Sequence, residues 1–399
     1  MDCRTDLQLA RRLASTHPRL RTQNRLQRND GASRAAENRT ESARLKIKTA
    51  SQGRYVAEED ASGDSGYSSF RLPQPNLFFA RDFGDDFGAF VSAEFLNSYN
   101  SGEDFGIARL GEGWVRYEYG QSLKIKGGLL IPKFNNLNEI KNRTPLLPYI
   151  TRPYVYEQSY KNLIGNGDYV PQRAYGQVYG TLPIGEVEFD YAAYVGNSDP
   201  GFLTSGDASY PVSGTDTTYS KLFGGRVGVQ YQGVKAGVSG TIDEANMREV
   251  DLSIAQTTVP AGLGDVDRYR IGADLSFDVN DFFVESEIIS VTYSLTDEQE
   301  AQWDGLRQRP AYSDVLGENL DQLFYYGVVG YQITNNFDVH VLYNAVEENR
   351  SNVDLASFGG GVSYRPVFPV RLKAGYRRST IRDGDYTGNF FSLAASVTF

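Results

Sequence analysis

A chain of 399 residues is long enough for several soluble domains or for one large barrel, and it has no apolar run near the roughly 18 residues that a helical membrane span needs. Its mean hydropathy of -0.43 would suit a soluble protein, but strands whose alternate residues face a wet interior hide membrane character from hydropathy. One cysteine, Cys3, excludes an internal disulfide and a cysteine zinc cluster, and His17 and His340 are too few for a histidine-rich metal site, so no cofactor is expected.

Charge divides the chain. Residues 1–50 carry 12 Lys+Arg against 5 Asp+Glu, a net of +7, which leaves -17 for the rest of a chain whose total is -10. Residues 1–45 are rich in Arg, Gln, Asn and Ser and lack the 7–15-residue apolar core of an export signal. Three readings fit them: a misassigned start or a fragment, a disordered tail, or a basic arm for nucleic acid or a partner. They are set apart from the fold, and no nucleic-acid partner is expected for the remainder.

From Leu45 onward, segments of about ten residues alternate in polarity and are separated by turn chemistry. They predict strands over 46–58, 67–80, 87–98, 111–119, 123–132, 172–182, 185–197, 220–231, 234–246, 267–279, 281–295, 320–333, 336–350, 354–367, 370–382 and 387–399. That makes sixteen, and single-chain bacterial barrels have an even number. Every second link is short: Gly84-Asp85-Asp86, Gly120-Gln121, Pro183-Ile184, Gln232-Gly233, Asn280, Thr334-Asn335 and Phe368-Pro369. Several of the links between them are long, at 133–171, 198–219, 247–266 and 296–319. A soluble sandwich has no reason to sort its loops by parity, whereas an outer-membrane barrel does so at its two rims.

Alternation is clearest where Val187, Phe189, Tyr191, Ala193 and Val195 oppose Glu186, Glu188 and Asp190. Likewise Tyr269, Ile271, Ala273 and Leu275 oppose Arg268, Arg270 and Asp274, and Phe337, Val339, Val341 and Tyr343 oppose Asp338 and His340. Val370, Leu372, Ala374 and Tyr376 oppose Arg371, Lys373 and Arg377. None of these strands shows two apolar faces, so no second layer is expected and lipid supplies the apolar partner. Tyr117, Tyr119, Tyr231 and Tyr343 are placed near strand ends, where aromatic girdles meet the interfaces. The closing strand alternates Phe391, Leu393, Ala395, Val397 and Phe399 with small or polar residues.

Catalytic chemistry is not indicated. His340 has inward-facing Asp338 and Asn344 in its strand but no neighbouring serine, and no glycine-rich phosphate loop precedes a helix, so no enzyme is expected. Glu285 with Glu287, and Glu298 with Glu300, are acidic pairs better read as solvated charge than as calcium sites. The links 198–219 and 296–319 are acidic, as suits solubility or a surface bridged by divalent cations to anionic lipid headgroups.

The even strand set, the terminal Phe399 and the stretch LKIKGGLLIPKFNN over 123–136 resemble Gram-negative outer-membrane porins, in particular the phosphate-selective porin family and related sixteen-stranded porins. The resemblance covers 46–399 and implies an all-β, sixteen-stranded antiparallel transmembrane β-barrel with short periplasmic turns and long extracellular loops. It also implies a homotrimer in the outer membrane, contact with lipid and lipopolysaccharide, and recognition of Phe399 by the barrel assembly machinery. In such porins the third long loop folds inward. Here that loop is 133–171, stiffened by Pro145, Pro148 and Pro153 and supplied with Leu146, Leu147, Tyr149, Ile150, Tyr154, Val155 and Tyr156 to pack. The alternative is an outward cap or an oligomer contact.

The function expected is a water-filled channel for passive diffusion of small hydrophilic solutes or ions. Its constriction would be formed by Lys133, Asn135, Glu139, Lys141, Arg143, Arg152, Tyr154 and Glu157, and its wall by Lys124, Lys126, Arg371, Lys373 and Arg377. The long loop carries a net charge of +2, so a weak anion preference is expected despite the acidic total. The competing expectation is a non-conducting barrel that serves as an adhesin or surface anchor.

Overall fold

The computed structural model describes residues 46–60, 67–71, 75–96, 107–141, 147–156, 172–198, 216, 218–252, 257–313, 316–349, 353–382 and 387–398. The basic segment 1–45, Arg143, Glu157 and Phe399 lie outside them. Among the described residues no helix is long and apolar enough to cross a membrane. The strands are β1 (Lys46–Asp60), β2 (Tyr67–Arg71), β3 (Asn76–Phe83), β4 (Phe87–Leu96), β5 (Ile107–Tyr119), β6 (Leu123–Leu130), β7 (Arg173–Ile184), β8 (Val187–Asn197), β9 (Lys221–Tyr231) and β10 (Val234–Asn246). They continue as β11 (Val250–Leu252), β12 (Thr257–Val259), β13 (Asp265–Val279), β14 (Phe282–Ser294), β15 (Gln322–Thr334), β16 (Phe337–Glu348), β17 (Val353–Tyr364), β18 (Val370–Arg382) and β19 (Thr387–Thr398).

Seventeen strands form one antiparallel sheet, and β11 with β12 forms a separate hairpin. Each strand from β3 to β10 pairs with the next, β10 pairs with β13, and the ladder continues to β19. β1 pairs along one edge with β19, through Ala50–Asp60, and along the other with β3 and β2, through Lys46–Ala50 and Arg54–Glu58. Where the sequence predicts one strand over 67–80, two short strands share that edge of β1. Pro75, which has no amide hydrogen to donate to a ladder, stands immediately before β3.

The sheet inverts the usual distribution of polarity. On β13, Ile271 is 68% exposed while Arg270 on the opposite face is 2% exposed. The same inversion holds on β9, where Phe223 and Val227 are exposed and Arg226 is buried, and on β18, where Leu372 and Tyr376 are exposed and Lys373 is buried. One face is therefore an exposed apolar belt and the other a buried polar surface.

The short turns contain the residues that tight hairpins require. Gln232 and Gly233 both have positive φ, at 45° and 88°, as a two-residue turn between twisted strands needs. β7 runs through Ile184, so the predicted Pro183-Ile184 link is displaced to Gly185-Glu186, with Gly185 at φ 65°. Aromatic residues gather at this rim: Phe87 lies 5.0 Å from Tyr117, and Phe282 4.7 Å from Tyr331. Tyr343, expected near an end, is in the middle of β16 because the strand begins at Phe337 and ends at Glu348.

Two of the predicted long links contain structure of their own. The hairpin β11–β12 packs through Val250 and Val259 against Trp303 and Leu306 of helix α1 (Asp297–Arg307), and Leu316 and Leu320 complete the cluster. Thr296 and Gln299 close the start of α1 in a reciprocal capping box. Trp303 donates its indole N–H to the Gly317 carbonyl at 3.2 Å.

If the apolar face meets lipid, Ile271→Arg places a charge in hydrocarbon while Ile271→Leu does not. The Arg variant is expected to fold less stably by about 2–4 kcal/mol, read as a shift in denaturant midpoint during folding into lipid vesicles, with the Leu variant near the parent. Equal stability of the two variants would contradict lipid contact at this face.

A loop hydrogen-bonded along one row of the polar face

The segment after β6 turns onto the polar face of the sheet. Lys133 donates its backbone N–H to Gln177 Oε1 on β7 at 2.9 Å, and the Asn135 N–H reaches Ser239 Oγ on β10 at 3.0 Å. Asn135 has φ 49°, a left-handed conformation that asparagine tolerates better than most residues. Close approach is possible because β13 has a glycine below. A Cβ added at Gly272 would come 2.5 Å from Asn135 Oδ1 and 2.8 Å from the Phe134 ring.

The contacts then follow a single register row. Asp190, Gly228, Gly237, Asp274, Glu287, Tyr326, Asn344, Ser357 and Ser379 are successive cross-strand partners from β8 to β18. Over the two glycines lies the Arg226 guanidinium, where a Cβ on Gly237 would overlap it. It reaches Asp274 at 2.7 Å, Asp190 at 3.4 Å and the Asn136 side-chain carbonyl at 3.4 Å. Glu287 Oε1 accepts from the backbone N–H groups of Asn136 at 2.9 Å and Leu137 at 2.7 Å, and its Oε2 accepts from the Tyr156 hydroxyl at 2.7 Å. Beside it, Glu285 Oε1 accepts from the hydroxyls of Tyr149 and Tyr326. Further along, Asn344 Oδ1 accepts from the Tyr154 N–H at 3.2 Å, and the Tyr154 hydroxyl donates to Ser379 at 3.0 Å.

Apolar packing accompanies these bonds. Phe134, Leu137, Leu147 and Tyr154 of the loop share a buried cluster with Ile289, Phe324, Val328 and Leu342 on β14 to β16. The expectation of no second layer fails here. β15 has apolar residues on both faces, Phe324 and Val328 beneath the loop and Val329 and Tyr331 on the exposed belt, and the loop itself is that second layer.

The sequence-predicted residues fall into two groups around this segment. On β6, Lys126 is 1% exposed and pairs with Glu139 at 3.4 Å, while Lys124 pairs with Glu118 at 3.5 Å. Burial pushes the Glu139 carboxyl up, but Lys126 and Lys133 outweigh it and hold this group at about 2. The Lys133 ammonium stands 4.7 Å from the Tyr179 ring centroid, and the Lys141 ammonium 5.8 Å from that of Tyr156. Arg152 is buried and donates to the Lys141 carbonyl at 2.8 Å, so it braces the loop internally. On β18, Lys373 donates to the Tyr149 carbonyl at 3.2 Å, and the Arg377 guanidinium lies 5.9 Å from the Tyr154 ring. Arg371 is half-buried on the same face.

Sequence reasoning placed Glu285 and Glu287 on the correct face but read them as solvated. It put Asp274 and Asn344 on the polar face and did not single out Arg226, Ser239 or Ser379, and it had no signal for what any of them meets, because strand parity gives a side chain's face and not the loop residue that will meet it.

No family model matches the chain. It is 21% identical over 344 residues to an uncharacterized protein of Aquifex aeolicus, an alignment covering 77% of this chain and 70% of that one. Among solved structures it is similar to the anion-selective porin from Comamonas acidovorans, with a TM-score of 0.59 at 11% identity over 90% of this chain and 100% of that one. It is also similar to Salmonella typhi OmpF in complex with daunomycin, at 0.56 and 11% identity over 90% and 99%. The outer membrane channel DcaP of Acinetobacter baumannii gives 0.54 and 15% identity over 90% and 98%. Across nine-tenths of its length, the chain has the fold of Gram-negative outer-membrane porins.

Proposed function

We propose that residues 46–399 form a closed sixteen-stranded barrel in the outer membrane, with β2 and β3 acting as one interrupted strand, and that it is a passive diffusion channel for small hydrophilic solutes. The observation that carries this reading is the combination of an exposed apolar belt with a polar opposite face on which the loop after β6 is hydrogen-bonded. Pairing of β1 with both β19 and β3 supports closure. In lipid an open edge would leave backbone groups without partners. The polar face is then the lumen wall, and loop 133–171 narrows the channel.

The loop and wall also suggest the sign of selectivity. Most inward cations of the wall are neutralised: Lys126 by Glu139, Arg226 by Asp190 and Asp274, and Arg268 and Arg270 by Asp243. Among the described residues, Lys133 and Lys235 have no carboxylate within ion-pair distance, and both face the same wall around Arg226 and Asp190. Screening over about 8 Å at physiological salt gives these unpaired charges at the narrow section more weight than the acidic total. Glu285 and Glu287 lack a cation too, but their charge is taken up by five uncharged hydrogen-bond donors, four of them from the loop. The weak anion preference expected from the loop is therefore assigned to Lys133 and Lys235, with Arg152 as a structural brace. Trimer formation, lipopolysaccharide contact and recognition of Phe399 by the assembly machinery belong to the same proposal.

A second reading draws on the packed unit of α1 and β11–β12 in the long links. A rigid surface knob of that kind suits a non-conducting barrel that binds through its loops. Planar-bilayer recording separates the two readings, because steady open-channel current is expected only of the channel.

Excision of residues 140–160 is expected to raise single-channel conductance severalfold and admit larger sugars in liposome swelling, with the barrel still heat-modifiable in gels. Unchanged exclusion of those sugars would rule out the loop as the constriction. In a salt gradient, the parent should give a reversal potential of weak anion preference. Lys133→Glu with Lys235→Glu should move it to the cation side, whereas Arg152→Gln should not. A parent with clear cation preference, unmoved by the double substitution, would show that these lysines do not set selectivity.

A further inference from the structure

Among the described residues the buried Nδ1 of His340 has no hydrogen-bond partner, and a polar atom inside a protein ordinarily has one. His340 is 9% exposed, with the Tyr149 ring edge-on at 6.3 Å. Its register row runs through Gly361 on β17 and Gly375 on β18 to Ser392 on β19. Two successive glycines leave the space between His340 and Ser392 unfilled by side chains. The loop covers that space with Tyr149, Ile150 and Thr151, and a cavity of about 40 Å³ remains. One water needs about 10–15 Å³, so the cavity has room for a small ion but not for an organic solute.

The chemistry of the lining favours negative charge. Among the described residues no Asp or Glu lines the cavity, whereas the His340 imidazole, the Arg377 guanidinium and the hydroxyls of Thr151 and Ser392 are all able to donate. Arg377 occupies the adjacent row, between Gly359 and Phe390, and its guanidinium is steadied 4.8 Å from the Phe390 ring. On the other side of the His340 row, Lys373 shares a row with Asp338 and Ser363 and donates to the Tyr149 carbonyl in the cover. The acids of this part of the wall are engaged elsewhere: Asp338 with Arg365 at 3.4 Å, and Glu285 with the Tyr149 and Tyr326 hydroxyls. A cation in the cavity would be repelled by Arg377 and Lys373, with no lining carboxylate to offset them. An anion is attracted by both, and charge-assisted hydrogen bonds are the stronger kind.

We infer that this cavity is a binding site for one small inorganic anion of the halide class, held by His340, Arg377, Thr151 and Ser392 between the loop and β16–β19. The site belongs to the folded chain and does not require that the chain conduct. Crystals of the protein soaked in sodium bromide show an anomalous bromide peak within hydrogen-bond reach of His340 and Arg377. In detergent solution the NMR line of chloride broadens when folded protein is added, and bromide competes that broadening away. Arg377→Gln and His340→Phe each weaken the saturable broadening severalfold. Lys235→Gln, which removes a cation of the same sheet face on β10, leaves it unchanged. Heat-modifiable mobility establishes that each variant is folded, and Ser392→Ala takes the place of Arg377→Gln if the latter folds poorly. A cavity that holds only water in the bromide soak overturns the site. Broadening that survives both cavity substitutions, or that disappears with Lys235→Gln, overturns it as well, because the anions would then be gathered by the charge of the polar face at large.

Discussion

Hydrogen bonding between neighbouring strands is the interaction on which everything else in this protein depends. Hydrocarbon supplies no water to backbone amides, so a strand that faces lipid must find all its partners in the strands beside it. The ladder from β3 to β19, with β1 paired to both ends, meets that demand and leaves side chains to decide only which face meets which solvent. Polarity then follows from the two-residue period of the strand. Ile271 is exposed because its face has no protein to cover it, and Arg270 is buried because its face turns towards Asp243 and Thr241.

A polar sheet face creates its own difficulty, since charges crowded on neighbouring strands must be balanced at close range. Two devices answer it. Glycines at 228 and 237 let the Arg226 guanidinium lie flat between Asp190 and Asp274, so three charges settle across four strands without disturbing the ladder. Where no cation is at hand, at Glu285 and Glu287, the loop supplies backbone amides and tyrosine hydroxyls instead. Hydrogen bonds to a charged acceptor contribute about 1.5–3 kcal/mol each, and an unpartnered buried carboxylate would cost more than that. Loop and wall thus stabilise each other rather than one merely resting on the other.

Hydrophobic packing fixes the loop's path once the hydrogen bonds have fixed its anchor points. Phe134 and Tyr154 cover Ile289, Phe324 and Leu342, a patch that would be out of place against water. The same logic at the opposite side of the sequence explains α1 and β11–β12. Links long enough to carry Trp303, Leu306, Val250 and Val259 can bury them against one another, and they fold into a small unit instead of trailing as loops.

Much of this was legible from the sequence. Strand period and turn chemistry act over a few residues, so alternation around Arg270 or Lys373 and the pair Gln232-Gly233 placed strands, faces and most short turns directly. Local signals also misplaced the turn after Pro183, because an X-Pro step resembles a link even when the strand continues to Ile184. Glu298 and Glu300 read as loop charge, although the Thr296–Gln299 spacing that caps α1 was already present. Only the tertiary structure decided what the loop touches. Asn136 and Glu287 are 151 residues apart, and Tyr154 and Ser379 are 225 apart, so their meeting depends on the register of every intervening strand. A one-residue slip in any of them would turn its side chains to the other face, and no local pattern records that accumulated register.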